Sequence, residues 1–134
     1  MTDRQPLNKW VDYAAIDGVL VLAIKLADEA EFFEEPAAMT KAILDLYTSE
    51  AERLKNPSCI AIIETRVATS LLIRILYRLF RECRKSRGDL YVCGFPSEYM
   101  ISLSTLGLTE LPGFRLKPTE EAAIEEIRKG SPSP

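Results

Sequence analysis

Two uninterrupted apolar runs and the amphipathic segment between them constrain the fold of this chain most. Cys59–Ile63 and Leu90–Cys93 contain only apolar residues, a pattern typical of strands buried on both faces of a parallel sheet. The segment between them has the helical period; Thr69 or Ser70 can cap it and Gly88 can end it. Strand, helix and strand in this order predict a βαβ unit, so we expect an α/β domain. The apolar face of the helix comprises Leu71, Leu72, Ile75, Leu76, Leu79, Phe80 and Cys83, and the basic face comprises Arg74, Arg78, Arg81 and Lys85.

The rest of the chain extends this unit at both ends. Asp17-Gly18 is a tight-turn signal between two apolar runs and predicts an N-terminal β-hairpin. We predict one domain at residues 10–130, between tails at 1–9 and 131–134, with a mixed, mostly parallel sheet and about four α-helices. The expected additional strands are at 10–15, 19–24 and 114–116, and the expected additional helices are at 36–55 and 119–130. A further short helix is expected to begin at 96–97 and to end at Gly107, with Met100, Leu103 and Leu106 pointing inward.

Composition excludes several kinds of chemistry. The chain has 134 residues with no histidine and three cysteines, so it lacks a Ser-His-Asp triad and the ligands of the common zinc sites. We therefore predict no enzyme, no metal site and no cofactor. The odd cysteine count and the lack of a signal sequence favour a cytoplasmic protein whose cysteines pack in the core. No apolar run is long enough for a membrane span, and the net charge of −3 argues against a nucleic-acid partner.

Charge is unevenly distributed along the chain. Residues 66–87 contain seven basic residues and one acidic residue, and carry a net charge of +6, so the remainder carries −9. Five acidic residues surround Phe32 and Phe33 in residues 28–35. The basic stripe is either a solvated helix face or a docking surface. The acidic stretch is either a loop anchored by one phenylalanine or a binding element.

The element order and two stretches of sequence resemble the STAS domain of bacterial anti-sigma factor antagonists. The first stretch runs from Ser70 to Gly-Asp-Leu-Tyr-Val-Cys-Gly at 88–94, and the second is Leu-Ser-Thr-Leu-Gly-Leu at 103–108. In that family a helix follows Asp-Ser-Ser-Gly and leads into Gly-x-Leu-x-Leu-x-Gly, and a later helix ends in Gly-Leu. The resemblance covers about residues 10–129 and implies a STAS-like single domain.

This resemblance implies a regulatory protein–protein interaction module without catalysis. Such antagonists bind an anti-sigma factor of the serine-kinase type in partner switching, and phosphorylation of a serine at the start of the second helix breaks the complex. A phosphate there is stabilised by free N–H groups and the positive end of the helix dipole, and it adds nearly two negative charges to the surface. The implied partner is an anti-sigma factor or a serine-kinase-like regulator, and a weak homodimer is compatible with the family.

The phosphorylation motif departs from the family pattern. Counted back from Gly88, Thr69 aligns with the aspartate and Ser70 with the first serine. Leu71 aligns with the second serine, which is the residue phosphorylated in the family, and Leu72 with the glycine. Thr69 and Ser70 then either only cap the helix, or Ser70 is phosphorylated instead. We expect regulation without the usual phosphoserine switch.

Charge and family position together predict a partner surface at the N-terminal end of the second helix. The alternative function is a STAS-fold sensor of a small molecule or lipid, or an accessory subunit of a transport or signalling assembly. The residues predicted for the partner surface are Arg66, Thr69, Ser70 and Arg74, with Asp28, Phe32 and Phe33 beside them.

Overall fold

The protein folds around a six-stranded sheet flanked by four α-helices. The computed structural model describes residues 4–7, 10–25, 36–64 and 70–130. The helices are α1 (Pro36–Leu54), α2 (Ser70–Lys85), α3 (Met100–Thr105) and α4 (Glu120–Gly130). The strands are β1 (Gln5–Pro6), β2 (Val11–Ile16), β3 (Val19–Ile24), β4 (Cys59–Ile63), β5 (Leu90–Cys93) and β6 (Phe114–Lys117).

Strands follow one another across the sheet in the order of the chain, β1-β2-β3-β4-β5-β6. The pairs β1–β2 and β2–β3 are antiparallel, whereas β3 through β6 are parallel. This confirms the predicted mixed, mostly parallel sheet with an N-terminal hairpin. The hairpin turns at Asp17 and Gly18, whose φ values of 53° and 77° are those of a type I′ turn. The two-residue strand β1 is an addition that the sequence pattern did not predict.

The two faces of the sheet form separate hydrophobic cores. Leu20, Leu22 and Ile24 of β3 belong to the larger core, together with apolar side chains of α1, α2 and α3. Val19 and Val21, on the opposite face of the same strand, belong to the smaller core, together with side chains of α4. Because the central strands are covered on both faces, they have no polar residues. All seven residues of the predicted apolar face of α2 are buried, as are Cys59, Cys83 and Cys93.

The C-terminal ends of α1 and α2 are built in the same way. Lys55 and Arg87 each adopt a left-handed conformation, with φ of 54° and 65°. The N–H of the next residue donates to a carbonyl five positions back, from Asn56 to Ala51 O at 3.1 Å and from Gly88 to Cys83 O at 2.7 Å. These are Schellman motifs, which usually place glycine in the left-handed position.

Gly88 is required for lack of space rather than for a left-handed backbone. The sequence pattern predicts that Gly88 ends the helix, but Arg87 is the residue that takes the left-handed conformation there. A Cβ atom on Gly88 would lie 2.3 Å from the carbonyl oxygen of Pro57. That oxygen accepts a hydrogen bond of 2.6 Å from the Tyr47 hydroxyl. The absence of a side chain therefore lets the connection after α2 pack directly on the connection after α1.

One predicted core residue is exposed. Leu103 is buried and Met100 is half-buried, but Leu106 is 62% exposed. Helix α3 ends at Thr105, and the N–H of the left-handed Gly107 donates to Ser104 O at 2.9 Å. Leu106 lies beyond the last helical residue, so the helical period no longer determines where its side chain points.

Candidate protein-interaction surface

The solvent-facing side of α2 carries three arginines. Arg74, Arg78 and Arg81 are exposed and lie at positions i, i+4 and i+7, one side of a helix. We refer to these three residues as the arginine face. The side chain of Arg81 lies over the ring of Tyr77, with the guanidinium carbon 5.8 Å from the ring centroid, a distance at which a cation and an aromatic ring attract.

The arginine face differs from most of the other described cations in how it is paired. Within the described ranges, no carboxylate lies within ion-pair distance of Arg74, Arg78 or Arg81. A carboxylate three or four positions away on the helix would offset such a charge, so three adjacent arginines without a described carboxylate partner form a concentrated positive charge. Most other described cations are paired, as in Arg4–Glu64, Lys25–Asp12, Lys41–Asp45, Arg53–Glu50, Arg84–Asp89, Lys85–Glu82, Arg115–Asp89, Lys117–Glu126, Arg128–Asp17 and Lys129–Glu125.

An apolar cleft lies on the α3 side of the arginine face. It has a volume of about 400 Å³ and is lined by Ile73, Tyr77, Leu106 and Leu108, with Arg74 at the same cleft. Tyr77 is 41% exposed and Leu106 is 62% exposed. We refer to this feature as the apolar cleft. Exposed apolar side chains gathered at a concave site make this cleft a candidate binding site.

A second, more polar cleft lies on the α1 side of α2. It has a volume of about 430 Å³ and is lined in part by Arg74 and Arg78 together with Thr40, Lys41 and Asp45. Lys41 and Asp45 pair with each other across one helical turn at 2.6 Å. Because Arg74 borders both clefts, it lies between them on the exposed surface of α2.

The predicted site residues fall partly within the described chain. Arg74 is exposed one turn after Ser70, and Ser70 is the first residue of α2. The remaining predicted residues lie outside the described residues. These residues are Arg66 and Thr69 in the range 65–69, and Asp28, Phe32 and Phe33 in the range 26–35. The structure therefore does not test whether the start of α2 and the acidic stretch form one surface.

The apolar cleft is not among the features that the sequence pattern predicts. The helical period predicts that Leu106 points inward, and it singles out neither Ile73 nor Tyr77. One signal was present, since Tyr77 is an aromatic residue on the basic side of an otherwise regular amphipathic helix. Such a residue is out of place unless its ring serves a contact.

The three cysteines are buried and unpaired with one another. No group of three acidic or cysteine residues within the described chain could hold a metal ion. Burial raises the pKa of the Cys83 thiol to about 12 and that of Cys93 to about 11, so both remain protonated at neutral pH and are poor nucleophiles. None of the described helices is long and apolar enough to cross a membrane.

Comparisons with known proteins identify the fold. Neither a protein-family model nor a curated protein matches the sequence. Two solved structures of TM1081 match, one by NMR and one a crystal structure that names it as a candidate anti-sigma factor antagonist from Thermotoga maritima. Their TM-scores are 0.65 and 0.64 at 15% sequence identity; the matches cover 87% of this chain and 87% and 92% of the two neighbours. The likeness confirms the predicted STAS-type fold.

Proposed function

We propose that this protein is a regulatory protein–protein interaction module that binds an anti-sigma factor or a serine-kinase-type regulator. The observation that carries the proposal is the arginine face beside the apolar cleft. Three adjacent arginines without a described carboxylate partner, next to exposed apolar side chains, combine the long-range attraction and the apolar contact of a protein interface. Its fold, shared with a candidate anti-sigma factor antagonist, supports the same assignment.

We also propose that the usual phosphoserine switch is absent. Leu71 stands where the family has its phosphorylated serine, and its side chain is 3% exposed. A buried leucine has no hydroxyl group and could not be replaced by serine without loss of apolar contact. Control of binding would then depend on the concentration or state of the partner. We propose the cytoplasm as its location and residues 10–130 as one functional domain.

A small-molecule sensor is the second candidate, and one cleft favours it. This cleft lies near the beginnings of β4 and β5 and has a volume of about 810 Å³, within the range of ligand sites. Lys55, Arg87 and Lys129 line it, but each also lies at or just after the C-terminal end of a helix, where a cation offsets the helix dipole. Since this structural role accounts for these cations without a ligand, we favour the interaction module.

Capture from a native cell lysate, with and without ATP, tests the proposed function. We expect the wild-type protein to retain an anti-sigma factor or a serine-kinase-like regulator. Arg74→Glu should reduce capture, because it reverses one charge of the arginine face at an exposed position. Arg87→Glu is the matched control, since it makes the same charge change at an arginine that has no described ion pair and lies beyond the other end of α2.

Two results would contradict the proposal. One is capture of no regulator of this class from the native lysate under either condition. The other is an equal loss of capture with Arg74→Glu and Arg87→Glu, which would mean that only the net charge matters. Urea unfolding of both variants checks that neither loses its fold.

A further inference from the structure

The surface of α2 has the shape and charge to receive one kind of structural element. We infer that the partner docks an amphipathic α-helix there, with carboxylates along one side facing the arginine face and apolar side chains in the apolar cleft. This inference rests on the proposed function and specifies the chemistry of the partner. It is carried by the spacing of the arginines, by the position of the cleft and by charge complementarity.

The apolar cleft requires apolar side chains from its occupant. Leu106 and Tyr77 are two of only three large apolar side chains that are exposed within the described chain, and both line this cleft. Leu108, which is 3% exposed, also lines it. A side chain that enters the cleft removes both exposed groups from water, which is the main favourable contribution at the centre of most interfaces.

The spacing of the arginines favours a helix over an extended segment. At 1.5 Å per residue, Arg78 and Arg81 lie about 6 Å and about 10.5 Å along α2 from Arg74. A helix packed along α2 at a crossing angle of about 20° repeats its own side chains at nearly the same intervals. An extended strand repeats side chains on one face about every 6.8 Å, and is out of step by about 3 Å at the third arginine.

Charge complementarity selects the polar side of the docked helix. The arginine face has no carboxylate within ion-pair distance among the described residues, so carboxylates of a partner would displace none of the ion pairs that the structure describes. Carboxylates at i, i+4 and i+7 or i+8 of the partner helix would each face one arginine. Arginine forms two parallel hydrogen bonds to a carboxylate, which fixes the register of the helix as well as its orientation.

Two other occupants fit the surface less well. Anionic lipid surfaces bind clusters of about four to eight cations, whereas this face has three, and a concave cleft between two elements receives inserted side chains better than a flat membrane. Among the helices that the structure describes, a second copy of this chain would offer α4, the most acidic of them. The apolar residues Ala123 and Ile124 of α4 are buried against the sheet, and Glu125 and Glu126 are paired within the chain.

Site-specific photo-crosslinking in the native host tests the inference. The probe is p-benzoylphenylalanine in place of Leu106, at the exposed side of the apolar cleft, and the same group in place of Glu125 on α4 is the control position. We expect crosslinking from position 106 to a partner segment that is helical, acidic on one side and apolar next to it. Arg78→Glu should lower the crosslinking yield at least about tenfold, and Arg87→Glu should change it less than about twofold. Reversing the facing partner carboxylate to arginine should restore the yield in Arg78→Glu.

Other results of the crosslinking experiment would overturn the inference that an acidic amphipathic helix docks on α2. Crosslinking from position 106 to a basic or extended segment, to a second copy of this chain or to lipid contradicts the proposed occupant, and so does an absence of crosslinking from that position. If a captured anti-sigma factor crosslinks only from position 125, the inference fails and the proposed function stands. If a protein of another class crosslinks through an acidic amphipathic helix, the proposed function fails and the inference stands.

Discussion

Replacement of Gly88 by alanine tests the direct packing between the connections that follow α1 and α2. The added Cβ atom would lie 2.3 Å from Pro57 O and 2.4 Å from Pro57 C. Since ordinary contacts of a Cβ atom are 3.4–4 Å, the backbone at Pro57 must move by about 1 Å. That movement separates Pro57 O from the Tyr47 hydroxyl, which now donates to it at 2.6 Å.

Three contributions determine the size of the effect. Overpacking at a buried position costs about 1–3 kcal/mol, and loss of the Tyr47 hydrogen bond adds about 0.5–1.5 kcal/mol. The lower entropy of alanine in the unfolded chain offsets about 0.4–1 kcal/mol. These ranges combine to a loss of about 0.5–4 kcal/mol, so we expect Gly88→Ala to lower the free energy of unfolding by about 2 kcal/mol, a large part of a typical total of about 5–15 kcal/mol.

A double-mutant cycle of Gly88→Ala and Tyr47→Phe, measured by urea unfolding, tests whether the hydrogen bond is lost in this way. If Gly88→Ala already breaks the hydrogen bond, Tyr47→Phe should have a much smaller effect in the variant than in the wild type. Gly107→Ala is the control, because a Cβ atom there would contact nothing within 4 Å and only the positive φ is strained. Its effect should add to that of Tyr47→Phe. A neutral Gly88→Ala, or full additivity with Tyr47→Phe, would refute the reasoning.

Three further predictions concern the core, the helix N-terminus and a buried thiol. Leu76→Ala, at a position that is 0% exposed, should lower the free energy of unfolding by about 2–5 kcal/mol, whereas Arg78→Ala should cost less than about 0.5 kcal/mol; equal losses in urea melts would mean that α2 is oriented differently. Intact mass spectrometry of protein from its own host should show no stoichiometric phosphate, and a dominant phosphorylated species mapped to Thr69 or Ser70 would contradict the absent switch. Burial raises the pKa of the Cys83 thiol from 9.0 to about 12, so the unfolded chain loses its proton first and stability falls as the pH rises above 9. Cys83→Ala should make that fall shallower between about pH 9 and about pH 12, and an unchanged slope of stability against pH would contradict this effect of the thiol.

Elements with a strong hydrophobic period were predicted well from the sequence. The period of α2 and the continuous apolar runs of β4 and β5 depend on burial along the whole element, so local sequence determines them. The prediction failed where the period ends, as at Leu106. It also missed β1, since Gln5–Pro6 is too short to show any pattern and is held by its pairing with β2.

Contacts between distant parts of the chain account for the remaining differences. The rule that glycine takes the left-handed position pointed to Gly88, but its proximity to Pro57, over thirty positions earlier, is invisible in the sequence. The candidate surface shows the same limit. The arginine face could be predicted because it follows from one helix, whereas the apolar cleft could not, because it forms only where α2 meets the turn after α3.

The strand order of the sheet has a consequence for how the chain is made. Each of the five described strands after β1 pairs with the strand synthesised just before it, so no described strand has to enter between two that are already joined. A ribosome releases about 5–20 residues per second, slowly compared with the closing of a short loop. The nascent chain can therefore build this sheet from one edge to the other while its C-terminal part is still being translated.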